Sequence, residues 1–269
     1  MSRERDRFRG VVEEELARRR AGVNDGVLRI LDLLRLLQSS IRDVLGGLPS
    51  EFDQAFLPRL LAQVGVQIAR WQAGAEDVAL GFFEAAARRG PGMVDGPLGA
   101  AGIRVSGGLI SDSLVRTLAD YSADKLSIAL ADGRAAIEAH IRLGVLGGQS
   151  PQETMAGIGR ELKDPGPFGR IRLRSEMIMR TETGRIHSTS AQARLEEALD
   201  LVPDLGKEWL WSRKSRAAHA AANGQKRGAR ERFDVGGEKL MFPRDPSGSA
   251  ENNVGCGCES IPYLARWST

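Results

Sequence analysis

Apolar residues recur every three or four positions through most of the chain and alternate only near its end. Between about Arg3 and Leu45, the stripe Leu31, Leu34, Leu37, Ile41 and Leu45 predicts one long helix or two, with charges on the other faces. Leu28, Leu33 and Leu36 widen the apolar surface beyond one stripe. Such a helix needs partners on more than one side. It is either the centre of an intramolecular bundle or a helix whose outer face meets another protein. Gly22, Asn24 and Gly26 predict a loosening in its first third.

Gly46, Gly47 and Pro49 end this run, and Ser50 is the expected N-cap of the next helix, with Asp53 at its third helical position. Helical spacing continues to about Trp71 and resumes from Glu76 to Arg89. Residues 90–108 are rich in Gly and Pro and predict a loop or hinge. A helix starting at Ser111 or Asp112 extends to Leu143. After the break at Gly144–Gly148, Ser150-Pro151-Gln152-Glu153 forms a capping box that opens a helix ending near Lys163. A further helix covers about Gly169 to Ala198.

Beyond Gly206 the pattern changes. Lys207–Ser212 alternates weakly, as in a strand. Arg232–Val235 and Lys239–Phe242 flank Gly236-Gly237, the signature of a β-hairpin whose turn needs positive φ. The fold class expected is α+β: a mostly helical N-terminal body (1–165, hinge near 90–108) and a small C-terminal α+β module (166–269).

A chain of 269 residues can bury a sizeable core. The net charge of +3 is too mild to argue nucleic-acid binding by itself. The start, MSRERDRFRG, has no apolar h-region, and no apolar run reaches the ~20 residues of a membrane span. No membrane partner is expected, and a soluble, cytoplasmic origin is the default. Two cysteines near the C-terminus do not make a disulfide framework.

Charge concentrates in one stretch, where Arg213, Lys214, Arg216, Lys226, Arg227, Arg230 and Arg232 are opposed only by Glu231. These are candidate phosphate or DNA contacts with salt-sensitive affinity, or a solvated or protein-contact face. No aromatic interleaving suited to base stacking accompanies them. His219, Cys256 and Cys258 are candidate metal ligands of the type zinc prefers. The set is one short of four, and Asp234 or Asp245 would have to complete it. The alternatives are small buried cysteines beside a hydrogen-bonded structural histidine, or a redox pair. His140 and His187 fall in helical patterns.

No Walker loop, Gly-x-Ser-x-Gly elbow or His-Glu-x-x-His is present. Ser188-Thr189-Ser190 resembles the Ser-Thr-Ser of ADP-ribosyltransferases, but it follows a helical pattern and no Glu-x-Glu loop accompanies it. The expectation is that the chain is not an enzyme and has no resident cofactor, zinc being the one candidate.

The C-terminal residues also resemble a known family. The helix RSEMIMRTETGRI (Arg174–Ile186) carries Arg180 and Glu182. Glu208-Trp209, Arg216-x-x-His219, Asn223-Gly224-Gln225, Phe233-x-Val235-Gly236-Gly237, Leu240-Met241-x-Pro243, Asp245-Pro246-x-Gly248-Ser249-Ala250-Glu251-Asn252 and Cys256-x-Cys258 follow in order. This series resembles the phage Mu F-like head morphogenesis family, over roughly the last third of the chain. Two departures are present. Ser212 and Lys214 stand where the family often has Asp and Arg, and Gly255-Cys256-Gly257-Cys258 replaces its Asn-Cys-Arg-Cys ending.

The resemblance implies a minor capsid protein of a tailed phage or prophage. Its partners would be the portal protein and capsid subunits, with a part in head assembly and in DNA packaging or delivery. It would sit in the virion near the portal, and in the host cytoplasm during assembly. Arg180 and Glu182 would anchor their helix to the C-terminal module, and Trp209, Gly236, Gly237, Pro243 and Asp245 would be structural. The rival readings are a non-specific DNA-contacting module inside the head and a zinc-dependent hydrolase.

Overall fold

The computed structural model describes residues 2–48, 54–106, 110–214 and 216–267. The expected cap at Ser50 with Asp53 lies outside the described residues. Six helices come first: α1 Ser2–Gly46, α2 Leu57–Arg89, α3 Gly92–Ala100, α4 Asp112–Leu146, α5 Pro151–Ile158 and α6 Pro167–Ala198. Then follow β1 Leu205–Leu210, α7 Ala217–Ala221, β2 Lys226–Gly228, β3 Phe233–Val235, β4 Glu238–Leu240, α8 Ala250–Asn253 and β5 Glu259–Leu264. The chain is thus a helical body with a small C-terminal α+β region.

Four elements differ from expectation. α1 runs unbroken through Gly22 and Gly26. Each glycine costs about 1 kcal/mol in a helix. The buried stripe Val12, Leu16, Val23, Val27, Ile30 and Leu34 passes through both glycines and holds the helix. α2 likewise shows no interruption between Trp71 and Glu76. Within the segment expected to be a loop, α3 forms despite Pro97, because Met93, Val94, Pro97 and Leu98 are buried on one side. α5 stops at Ile158 rather than near Lys163, since Gly159 turns the chain at φ +103°. Its start is as expected: Ser150 Oγ accepts from Glu153 N–H, and the Glu153 carboxylate accepts from Ser150 N–H.

Two compact units emerge. One comprises residues 1–24, 81–121 and 180–269, and the other 25–80 and 122–179. They are interleaved in sequence, so they do not follow a division at 165/166. The second unit is all-helical. Its core includes Leu34, Ile41, Ile68, Phe168 and Ile171, and Gln38 donates to the Gly159 carbonyl at 2.9 Å.

The first unit holds both small sheets. β1 is the middle strand of an antiparallel sheet ordered β2-β1-β5, with Gly206 opposite Gly228 on one side and Tyr263 on the other. β3 and β4 pair antiparallel around Gly236 and Gly237, whose φ angles of +59° and +81° suit the mirror-image turn expected of a two-residue hairpin. Phe8, Val12, Leu16, Met93, Leu98, Leu195, Leu205 and Leu264 form one core cluster, and Trp209, Ala222, Phe233, Val235, Leu240, Cys256 and Cys258 form another.

Candidate functional site

The second cluster is built on Trp209, fully buried in β1. Its indole meets Phe233 of β3 edge-on at 5.4 Å and the His219 ring at 5.7 Å. His219 is buried in the single turn of α7. Its Nδ1 lies 3.4 Å from Cys256 Sγ and 3.6 Å from Cys258 Sγ, and no disulfide joins the two sulfurs. On the far side of the ring, Nε2 lies 3.1 Å from Asn252 Oδ1. The Asn252 amide nitrogen donates to the Val235 carbonyl, so Oδ1 faces the imidazole and Nε2 carries the proton. Nδ1 is therefore the nitrogen that faces both sulfurs.

Beneath the cysteines sits Arg244, the residue after Pro243. Its backbone is left-handed at φ +70°, which turns its side chain into the interior, where it is wholly buried. Nη1 donates to the carbonyls of Cys256 (2.7 Å) and Cys258 (2.9 Å), while Nη2 donates to Ser188 Oγ (2.9 Å) and pairs with Glu259 (3.3 Å). Glu259 also pairs with Arg19 of α1. A side chain at position 184 would collide with Arg19 and Arg244, so Gly184 leaves α6 open to both guanidiniums. The Cys256 thiol is held well below its ordinary range by its hydrogen bond with Cys258, then by His219 and Arg244, against the opposing effect of burial. His219 is raised, chiefly by its bond to Cys256. His187, buried in α6, is pushed well below its ordinary range by burial and then by Arg19, Arg244 and Arg89.

The helix bearing the Arg-Thr-Glu-Thr run meets the C-terminal module through Thr181 and through Arg185, which Glu182 holds. Thr181 Oγ1 accepts from Gly255 N–H at 3.0 Å, and Arg185 donates to the Arg244 carbonyl at 3.2 Å while the buried Glu182 carboxylate holds its guanidinium at 2.8 Å. Arg180 donates to Asn24 in α1. Of the remaining motif residues, Asp245 accepts from Met241 and Ser247 N–H groups and stabilises the turn after Pro243.

The proposed completion of the metal set by an aspartate is corrected. Asp234 pairs with Arg227 and Lys239 at the surface, and Asp245 caps its own turn. Among the described residues, the ligand cluster is His219, Cys256 and Cys258, with candidate atoms all within 4.8 Å of one another.

The basic residues differ in their surroundings. Arg213, Lys214 and Arg230 are exposed. Arg216 donates to the Val254 carbonyl, Lys226 lies over the Tyr263 ring, Arg227 pairs with Asp234, and Arg232 reaches Asp245 and the Lys239 carbonyl. Four of the seven are thus tied into the module itself.

Ser188, Thr189 and Ser190 lie inside α6. Thr189 and Ser190 donate to the carbonyls of Arg185 and Ile186, and Ser188 accepts from Arg244. Arg244, Arg19 and Glu259 carry no mark of these contacts in the sequence, whereas Asn252 stands within the motif series. Arg244 follows a Pro in a Pro-x-Asp-Pro turn, where an inward left-handed arginine carries no recognisable signature.

No family model matches the chain, and no solved structure matches it. Among curated proteins, it is 33% identical over 89 residues to a protein of Enterococcus faecalis named NAD(+)--arginine ADP-ribosyltransferase EFV. The match covers 32% of this chain and 18% of that relative's length. This finding overturns the expectation that the chain is not an enzyme. Among the described residues, no helix is long and apolar enough to cross a membrane.

Proposed function

We propose that the chain is a minor head protein of a tailed phage or prophage. It associates with the portal and takes part in head assembly and in DNA packaging or delivery. The observation that carries this reading is the behaviour of the ordered motif series. Trp209, His219, Gly236, Gly237, Pro243, Asp245, Cys256 and Cys258 are scattered in sequence yet pack into one module against α6.

A partner surface is available in the helical unit. Leu28, Leu36, Val66, Ile128, Leu143 and Leu173 there are each more than half exposed. Their burial against portal or capsid subunits would supply the binding energy, with charge setting orientation. The protein then resides in the virion near the portal after assembly in the host cytoplasm. The test is to count the chain in purified particles against portal and major capsid subunits.

A second reading is favoured by one observation, the similarity to the enterococcal transferase. On that reading the chain takes part in ADP-ribosyl transfer from NAD(+) to arginine, using residues other than Ser188–Ser190. Incorporation of label from NAD(+) into arginine-containing acceptors, catalysed by the purified chain, supports it. The absence of incorporation removes it.

A further inference from the structure

We propose that His219 Nδ1, Cys256 Sγ and Cys258 Sγ are the protein ligands of a zinc ion that closes the C-terminal module. The inference does not depend on the head-protein reading.

Three independent observations carry it. The first is spacing. With zinc–nitrogen and zinc–sulfur bonds of about 2.1 and 2.3 Å, two ligands of one tetrahedral ion stand about 3.5 Å apart. The two sulfurs stand 3.4 and 3.6 Å from Nδ1.

The second is the histidine tautomer. Asn252 Oδ1 holds the proton on Nε2, so Nδ1 is the nitrogen aimed at both sulfurs. A metal-bound histidine commonly has such an outer partner on its other nitrogen.

The third is enclosure and ligand chemistry. His219, Cys256 and Cys258 are all buried, and the Arg244 guanidinium fixes the cysteine loop through both cysteine carbonyls. Two thiolates and an imidazole select zinc over magnesium or calcium, which prefer oxygen ligands. With Asp234 and Asp245 engaged elsewhere, the fourth position of the tetrahedron falls to water.

The ion would join three separate pieces of chain: α7, the Gly255–Gly257 loop and, through Asn252, the end of the β3–β4 hairpin. None is longer than a turn or two, and none is held by much local structure. A shared ion at their meeting point explains why two cysteines and a histidine are clustered inside a module too small for a large core.

The experiment uses the full chain. Protein loaded with zinc and then exchanged into metal-free buffer should retain about one zinc per chain by elemental mass spectrometry. Cobalt(II) loading should give thiolate-to-cobalt charge transfer in the near ultraviolet and the visible bands of a tetrahedral ion. Cys256→Ser and Cys258→Ser should each abolish the charge-transfer band or reduce it sharply. Asn252→Ala, which removes no ligand, should weaken zinc binding by roughly 10- to 100-fold while leaving the circular dichroism spectrum unchanged. Should a cysteine variant fail to fold, wild-type stoichiometry and the cobalt spectrum decide alone. A folded wild-type chain that retains no zinc overturns the proposal, as does a cobalt complex without a thiolate band. A Cys256–Cys258 disulfide in the purified, zinc-treated protein overturns it equally.

Discussion

Arg244 shows what a single residue contributes to the C-terminal module. Its guanidinium links two segments that are far apart in sequence, the cysteine loop and α6, and through Glu259 it meets Arg19, 240 positions upstream of that glutamate. Trp209, His219 and the two cysteines were legible as motif positions. Arg19, Arg244 and Glu259 were not, because contacts over such separations leave no periodic or local mark. Trp209→Ala should destabilise the module by about 3 kcal/mol, as expected for a large aromatic lost from a core. Thermal or urea unfolding checks this, and an unchanged melting curve would contradict the burial of the indole.

Lys207 gives a pH signature at the same scale. Burial is the main reason its ammonium group falls from 10.5 to about 7. Its Nζ donates to the Met241 carbonyl at 2.7 Å and to Gln192 Oε1 at 3.1 Å. Between these two values the unfolded chain binds a proton that the folded chain does not, so stability rises with pH across this window, by up to about 1.4 kcal/mol per pH unit. Below about pH 7 both states are protonated and this contribution to the slope vanishes. Lys207→Met should remove the slope. If denaturation midpoints of wild type and variant run parallel between pH 7 and 10, the lysine is not the source.

At the scale of elements, the strongest local chemistry was read correctly. The capping box of α5 and the Gly236-Gly237 hairpin form as their residues dictate. Elements decided by tertiary burial were missed. α3 contains a proline and three glycines but is held by four buried side chains. β5 carries Pro262, which argues against a strand, yet it lies on a sheet edge where a missing N–H is tolerated. The hairpin turn separates two effects. A side chain at Gly237 meets nothing within 4 Å, whereas one at Gly236 would lie 3.1 Å from Asn252 Oδ1. Gly237→Ala should therefore cost only the left-handed strain, about 1 kcal/mol. Gly236→Ala should cost more and also disturb His219 through Asn252. Equal losses from the two substitutions would contradict the placement of Asn252 behind the turn.

For the whole molecule, the fold class was legible and the partition into units was not. Sequence breaks such as Gly144–Gly148 and 164–167 suggest boundaries between helices. The compact units instead change over at 24/25, 80/81, 121/122 and 179/180, positions inside α1, α2, α4 and α6. Continuous helical periodicity hides a boundary of that kind. The proposed function belongs to this scale as well, since it joins an exposed apolar helical surface to a motif-bearing module. The most direct test is quantitative mass spectrometry of particles purified from the source, with this chain counted against portal and major capsid subunits. The account predicts a small fixed complement, up to about one copy per portal subunit, that co-purifies with the portal. Its absence from both particles and portal-containing assembly intermediates would contradict the account.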